Sequence, residues 1–70
     1  MNDQISDMLT RIRNGQRAGL SKIYLYKPTS KICLKILNVM YKEGYIRGYS
    51  VIEQHPLYIE VFLKYDNFGN

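Results

Sequence analysis

A chain of 70 residues is long enough for one small domain, whose single core supplies only a few kcal/mol of net stability. Ten basic residues against six acidic ones give a net charge of +4, which predicts an acidic partner. One cysteine and one histidine exclude an internal disulfide and a zinc site, and no apolar run is long enough to span a membrane, so neither a cofactor nor a membrane partner is expected.

The first predicted element is an amphipathic helix that ends at Gly15, because glycine is a common helix stop. Apolar residues recur at positions i, i+3, i+4 and i+7, which are Ile5, Met8, Leu9 and Ile12. The opposite face gathers Asp7, Thr10, Arg11 and Asn14, with Arg13 at its side. Arginines, a hydroxyl and an amide can contact phosphates and ribose hydroxyls, although an ordinary solvated face is the alternative explanation.

Residues 21–27 predict a strand that Pro28 ends. Ile23 and Leu25 alternate with tyrosines, so both faces of this strand are expected to be covered. The seven tyrosines of the chain could stack on nucleic-acid bases, but at most strand positions tyrosine is simply a good β-former. Tyr24 and Tyr26 are the better candidates for an exposed role.

A second helix is predicted over residues 31–43, with Thr29 or Ser30 as its N-cap and Gly44 at its end. Its expected buried stripe consists of Ile32, Cys33, Ile36, Leu37 and Met40. The opposite stripe, at i, i+4, i+7 and i+11, consists of Lys31, Lys35, Asn38 and Lys42. Solvation explains Lys42 well, but Lys31 lies in the first turn, where a cation opposes the helix dipole.

Residues 45–53 and 57–65 predict a β-hairpin joined near residues 54–56. Apolar side chains occupy the odd positions of its second strand, which should pack under the helices. The order α-β-α-β-β therefore predicts an α+β fold, a two-layer sandwich of two helices on a three-stranded sheet. Its expected core includes Ile5, Leu9, Ile12, Ile36, Met40, Ile59, Val61 and Leu63.

Charge is strongly segregated along the chain. No acidic residue lies between Asp7 and Glu43, whereas eight basic residues do: Arg11, Arg13, Arg17, Lys22, Lys27, Lys31, Lys35 and Lys42. Such segregation is typical of a protein that binds a polyanion. Catalysis has little support, because His55 lies beside Pro56 in a predicted turn and Cys33 is predicted on a buried helix face, so the chain is not expected to be an enzyme.

Four short blocks resemble motifs of one family of RNA-binding proteins. Residues 7–14 read D-M-L-T-R-I-R-N, as does the first helix of the ribosomal protein S8 family. Residues 28–31 (P-T-S-K) resemble its P-S-S-K, residues 43–46 (E-G-Y-I) its E-G-(F/Y)-I, and residues 63–65 its L-K-Y. Four blocks in register across nearly the whole chain make a specific resemblance, which no single block would provide.

The resemblance implies a small-subunit ribosomal protein that binds the central domain of the small-subunit rRNA, beside neighbouring ribosomal proteins and with no catalytic step. The family's polar and basic motif positions fall on Thr10, Arg11, Arg13, Asn14, Ser30 and Lys31. Arginine and lysine would neutralise phosphates, and the hydroxyl and amide groups would bond to ribose 2′-hydroxyls or base edges. Arg17 and Lys35 complete the expected RNA-binding set.

The family continues into a C-terminal β-rich domain with an S-T-S-x-G-type loop, and residues 1–70 contain no such sequence. The expectation is thus one S8-like N-terminal domain over 1–70. Three explanations stay open: the sequence is an N-terminal portion of a longer protein, a separate chain supplies the other half, or this is a reduced ribosomal protein. An abundance of Ile, Lys, Asn and Tyr suggests an AT-rich genome. The short length and this composition are expected of a protein encoded in an organelle. They favour a mitochondrial ribosome, with a bacterial or plastid ribosome as the alternative.

Two rival functions share some of these features. A free-standing RNA-binding regulator would have the same basic surface without belonging to a ribosome. A protein-interaction module would instead use the exposed edge of the hairpin or a patch of tyrosines, and its binding would depend little on ionic strength.

Overall fold

The computed structural model describes residues 3–26, 31–54 and 57–65. Its elements in chain order are α1 (Asp3–Arg17), β1 (Lys22–Leu25), α2 (Lys31–Lys42), β2 (Ile46–Ile52) and β3 (Tyr58–Leu63). The strands form one antiparallel sheet in the order β1-β3-β2, so the last of these three strands in sequence lies in the middle. The predicted α+β fold and its α-β-α-β-β order are confirmed.

Alternation along β3 separates the two faces of the sheet. Ile59, Val61 and Leu63 are buried, and Ile23 and Leu25 of β1 lie opposite Val61 and Ile59 in the register. The buried residues of both helices join the same core cluster, so both helices pack on this face. The prediction that the odd-numbered face of the hairpin's second strand is the covered one is confirmed.

Both helices and all three strands contribute residues to the core. Among the described residues, the buried members of the core are Met8, Ile12, Ile23, Leu25, Cys33, Leu37, Ile46, Ile59, Val61 and Leu63. Ile5, Ile36 and Met40 are only partly buried against it. Leu9 was expected in the core but is 41% exposed. The buried face of α1 is centred between Met8 and Ile12, and the helical turn of about 100° per residue carries Leu9 to its flank.

Two further expectations about apolar faces are wrong. Ile32 is exposed, because the buried face of α2 is centred on Cys33 and Leu37 and Ile32 falls outside it. The strand β1 is covered on one face only and ends at Leu25. Tyr24 is 36% exposed, and Tyr26, 55% exposed, lies beyond the end of the strand.

Both helices end in the same left-handed glycine turn, but α1 ends later than predicted. It continues through Gly15 to Arg17 and ends before Gly19, which has a φ of +73°. Leu20 N–H donates to the carbonyl of Gly15 (3.0 Å), a bond typical of a Schellman motif. Gly44, with a φ of +82°, ends α2 as predicted. Pro28 and the predicted N-cap residues, Thr29 and Ser30, lie outside the described residues.

Gly15 serves close packing rather than helix termination. A Cβ atom at this position would lie 2.5 Å from Ile23 Cγ2 and 3.1 Å from Leu63 Cδ1. Only glycine therefore lets α1 approach the sheet this closely. The tyrosine after β3 secures the same region, because the hydroxyl of Tyr65 lies 2.6 Å from the carbonyl oxygen of Leu20 and 3.3 Å from that of Gly15.

Tyr65→Phe should therefore lower the free energy of unfolding by about 0.5–1.5 kcal/mol, the usual net value of one hydrogen bond. Urea denaturation followed by circular dichroism measures this difference. Tyr41→Phe is the matched control, since Tyr41 is 51% exposed on α2 and should lose almost nothing. Equal stability of the two variants would show that the Tyr65 hydroxyl contributes nothing to the fold.

Candidate nucleic-acid interface

The outer surfaces of the two helices point away from the sheet on the same side of the molecule, because both helices pack on one sheet face. The predicted site residues within the described ranges are all exposed and belong to these surfaces. We call them the helical surface: Thr10, Arg11, Arg13, Asn14, Arg17, Lys31 and Lys35. Ser30, the remaining predicted site residue, lies outside the described residues, so the structure does not place it.

Ion pairing divides the cations of the helical surface into two groups. Arg11 Nε lies 3.0 Å from Asp7 Oδ2, an i,i+4 pair with both side chains more than half exposed. The other ion pair among residues 3–26, 31–54 and 57–65 joins Lys22 to Glu60. The four other cations of the surface have no acidic partner in those ranges; they are Arg13, Arg17, Lys31 and Lys35.

The spacing of these four cations favours an anionic ligand. Arg13 and Arg17 are four residues apart on α1, and Lys31 and Lys35 are four apart on α2. Like charges at this spacing destabilise a helix by a few tenths of a kcal/mol, and Lys31 begins α2, where the helix dipole opposes a cation. A polyanion would relieve both penalties at once.

The open face of the sheet carries a second feature, three tyrosine rings in mutual contact that we call the tyrosine platform. The ring centroids of Tyr24, Tyr26 and Tyr58 are 5.5–6.0 Å apart. Lys22 Nζ lies 5.7 Å from the Tyr24 ring centroid and 3.4 Å from Glu60 Oε2. Glu60 first, and then Tyr24, raise the pKa of Lys22 above its ordinary value.

Sequence reasoning singled out Tyr24 and Tyr26 but explained Tyr58 by β-propensity alone. The register between β1 and β3 places Ile59 opposite Leu25. The residue before Ile59, Tyr58, and the residue after Leu25, Tyr26, are therefore brought together. No signal along the chain reveals this contact, because it depends on which strands pair.

Two other kinds of site would require a metal-ligand group or a membrane-spanning helix in the described part of the chain. Within it, no group of three histidine, cysteine, aspartate or glutamate side chains could hold a metal ion. None of its helices has both the length and the apolar character needed to cross a membrane. Cys33 is buried, as predicted, and His55 lies outside the described residues.

Comparison with known proteins tests the resemblance. A family model described as ribosomal protein S8 matches residues 3–70. The chain is 51% identical over 65 residues to the small ribosomal subunit protein uS8 of Buchnera aphidicola subsp. Baizongia pistaciae, a match over 93% of this chain and 48% of that protein. It is 50% identical over 68 residues to the protein of the same name from Methylococcus capsulatus, over 96% of this chain and 50% of that protein.

The chain spans about half the length of the curated relatives it matches. That a separate chain supplies the other half stays a prediction. The relatives carry the names of ribosomal proteins, not of enzymes, in agreement with the expectation of a non-catalytic protein. On the strength of a match over nearly its whole length and of about 50% identity, the chain belongs to the ribosomal protein S8 family.

Proposed function

We propose that this domain is a structural part of the small ribosomal subunit and binds the central domain of its rRNA through the helical surface. The observation that carries the proposal is the set of four exposed cations without acidic partners, on two helices whose outer surfaces point the same way. RNA is the polyanion that a ribosomal protein meets, and its phosphates suit arginine and lysine.

The proposed role of each side chain follows from its chemical type. Arg13, Arg17, Lys31 and Lys35 neutralise phosphates. Thr10, Asn14 and Ser30 donate to or accept from ribose 2′-hydroxyls and base edges, the groups that distinguish RNA from DNA. Arg11 contributes less charge, because its exposed pair with Asp7, worth only about 0.3–0.5 kcal/mol, must loosen or be shared when a phosphate binds.

We further propose that the ribosome in question is bacterial. The relatives named above come from bacteria, which supports the bacterial alternative and gives no specific support to the mitochondrial ribosome that composition favoured. Neighbouring small-subunit proteins are its other proposed partners, since a domain of this size leaves most of its surface free for contacts within a large assembly.

The affinity of the purified chain for a fragment of small-subunit rRNA should fall with salt concentration at a log–log slope of about −3 to −4, because four phosphate contacts each release about one counterion. Arg13→Ala should flatten the slope by roughly one unit. Titration at several salt concentrations measures both values.

Two matched variants separate a local contact from a general charge effect. Arg47→Ala removes one exposed arginine from β2, outside the helical surface, so it should leave the slope unchanged although the net charge falls equally. Asn14→Ala should weaken binding without altering the slope, because an amide contributes a directional hydrogen bond and no charge. Equal slopes for the wild type, Arg13→Ala and Lys31→Ala would contradict the proposal.

A further inference from the structure

The three rings of the tyrosine platform contact one another and form a preformed surface. Tyr24 and Tyr26 are tilted by 34° to each other, Tyr26 and Tyr58 by 36°, and Tyr24 meets Tyr58 edge-on at 67°. Each ring therefore supports its neighbours and loses little further freedom on binding. Such preorganisation lowers the entropic cost of receiving a flat ligand.

β-Propensity does not account for the most exposed member of the platform. Tyr26 lies outside β1, so no strand position favours tyrosine there, yet 55% of its surface remains in contact with water. An aromatic ring held against two others with one side open to solvent presents a flat apolar surface together with a polar hydroxyl. Surfaces of this kind suit amphipathic aromatic ligands.

The charged residues near the platform indicate which class of aromatic ligand it binds. Lys22 lies 5.7 Å from the Tyr24 ring centroid. In the sequence a lysine stands on either side of the two tyrosines, at positions 22 and 27, and the second of these lies outside the described residues. Cations interleaved with aromatic residues are typical of surfaces that bind single-stranded nucleic acid, where rings stack on bases and cations meet phosphates. Glu60 is the one acidic residue that pairs with Lys22 among the described residues, so this pair carries no net charge.

The platform is also within reach of the helical surface. Tyr26 and Lys31 are five residues apart, so their Cα atoms are separated by at most about 18 Å. An RNA strand bound at the first turn of α2 can therefore place a nearby unpaired base over Tyr26. Sheet faces with exposed aromatic residues stack on unpaired bases in other RNA-binding domains.

We propose that the tyrosine platform is a stacking site for an unpaired base of the rRNA, with Tyr26 as its main contact, an assignment that rests on the proposed RNA binding by the helical surface. Stacking needs only the π-face of a base, so the site discriminates unpaired from paired RNA rather than one base from another. Tyr24 and Tyr58 contact the Tyr26 ring and hold it in place, and Lys22 supplies a cation beside Tyr24.

The test compares three variants of the full chain, titrated against the same rRNA fragment that measures the salt slope. Tyr26→Leu should lower the affinity by about 10-fold, within the range expected for loss of one base–aromatic stack, and leave the slope unchanged. Tyr26→Phe keeps the ring and should bind within about twofold of the wild type, since stacking does not need the hydroxyl. Tyr41→Leu is the matched control, because Tyr41 is similarly exposed but lies on α2 outside the platform, and its affinity should not change.

Photocrosslinking of the wild-type chain to the fragment carrying 5-bromouridine gives an independent measurement. A crosslink at Tyr24 or Tyr26 is expected, and its absence together with an unchanged affinity for Tyr26→Leu would overturn the proposal. If the wild type itself shows no salt-dependent binding, the proposed function fails and the stacking site fails with it. If Tyr26→Leu binds RNA normally but enters small subunits poorly, the face contacts a protein and the base-stacking proposal is wrong.

Discussion

Alanine in place of Leu37 is expected to lower the free energy of unfolding by about 2–5 kcal/mol, the usual loss for truncating a fully buried leucine. Leu37 has no solvent exposure and lies where α2 faces the sheet, in one cluster with Cys33 and Val61. A domain of this length has a total stability of only about 4–10 kcal/mol. The variant should therefore lose about half of this stability, and its urea midpoint should fall in proportion.

Urea denaturation followed by circular dichroism measures this loss. Two variants at other positions of the same helix serve as references. Val39→Ala removes an exposed aliphatic side chain and should cost no more than about 0.5 kcal/mol. Ile36→Ala should fall between the two, since Ile36 is only partly buried. A loss at Ile36 as large as that at Leu37 would place the centre of the buried helix face one residue earlier than the structure does.

The second large effect is expected at Gly15. A methyl group there would lie 2.5 Å from Ile23 Cγ2, and this atom is attached directly to the Cβ of a β-branched residue within a strand, so it cannot move aside easily. Overpacking costs about 1–3 kcal/mol, while alanine in a helix recovers only about 0.5–1 kcal/mol relative to glycine. Gly15→Ala should thus destabilise the domain by about 1–2 kcal/mol, and Gly15→Val by more.

A double-mutant cycle shows whether the clash is the cause. In an Ile23→Ala background the obstructing methyl group is gone, so Gly15→Ala should become neutral or stabilising. Gly48→Ala serves as a control, because a Cβ there would meet nothing within 4 Å. If Gly15→Ala stabilises the wild-type chain, helix propensity outweighs packing at this position and the explanation of the glycine is wrong.

The period of the apolar residues was enough to predict the fold class, both helices and the covered face of the hairpin. The period could not show which of Met8 and Leu9 is buried, because both are apolar. The centre of the buried face depends on how α1 is rotated against the sheet. The period also misassigned Gly15, since glycine is favoured both at helix ends and at close helix–sheet contacts. Only the packing of Ile23 against α1 distinguishes these two roles.

The candidate site was predictable to a similar extent. Periodicity placed Thr10, Arg13 and Lys31 on outward surfaces, where the structure finds them. The pair between Arg11 and Asp7 follows from their i,i+4 spacing and was available from the sequence, although it was overlooked. The tyrosine platform was not available, because it depends on the register between strands that are distant along the chain.

The central place of β3 sets the order in which this domain can fold. Both edge strands and both helices precede β3 in the chain, yet β1 and β2 have no hydrogen-bonding partner in the sheet except β3. During synthesis at about 5–20 residues per second, these elements wait without a sheet until residues 58–65 have emerged. Only then can β3 pair with both edge strands and Tyr65 bond to the turn after α1, so that the last described residue of the chain secures the N-terminal helix.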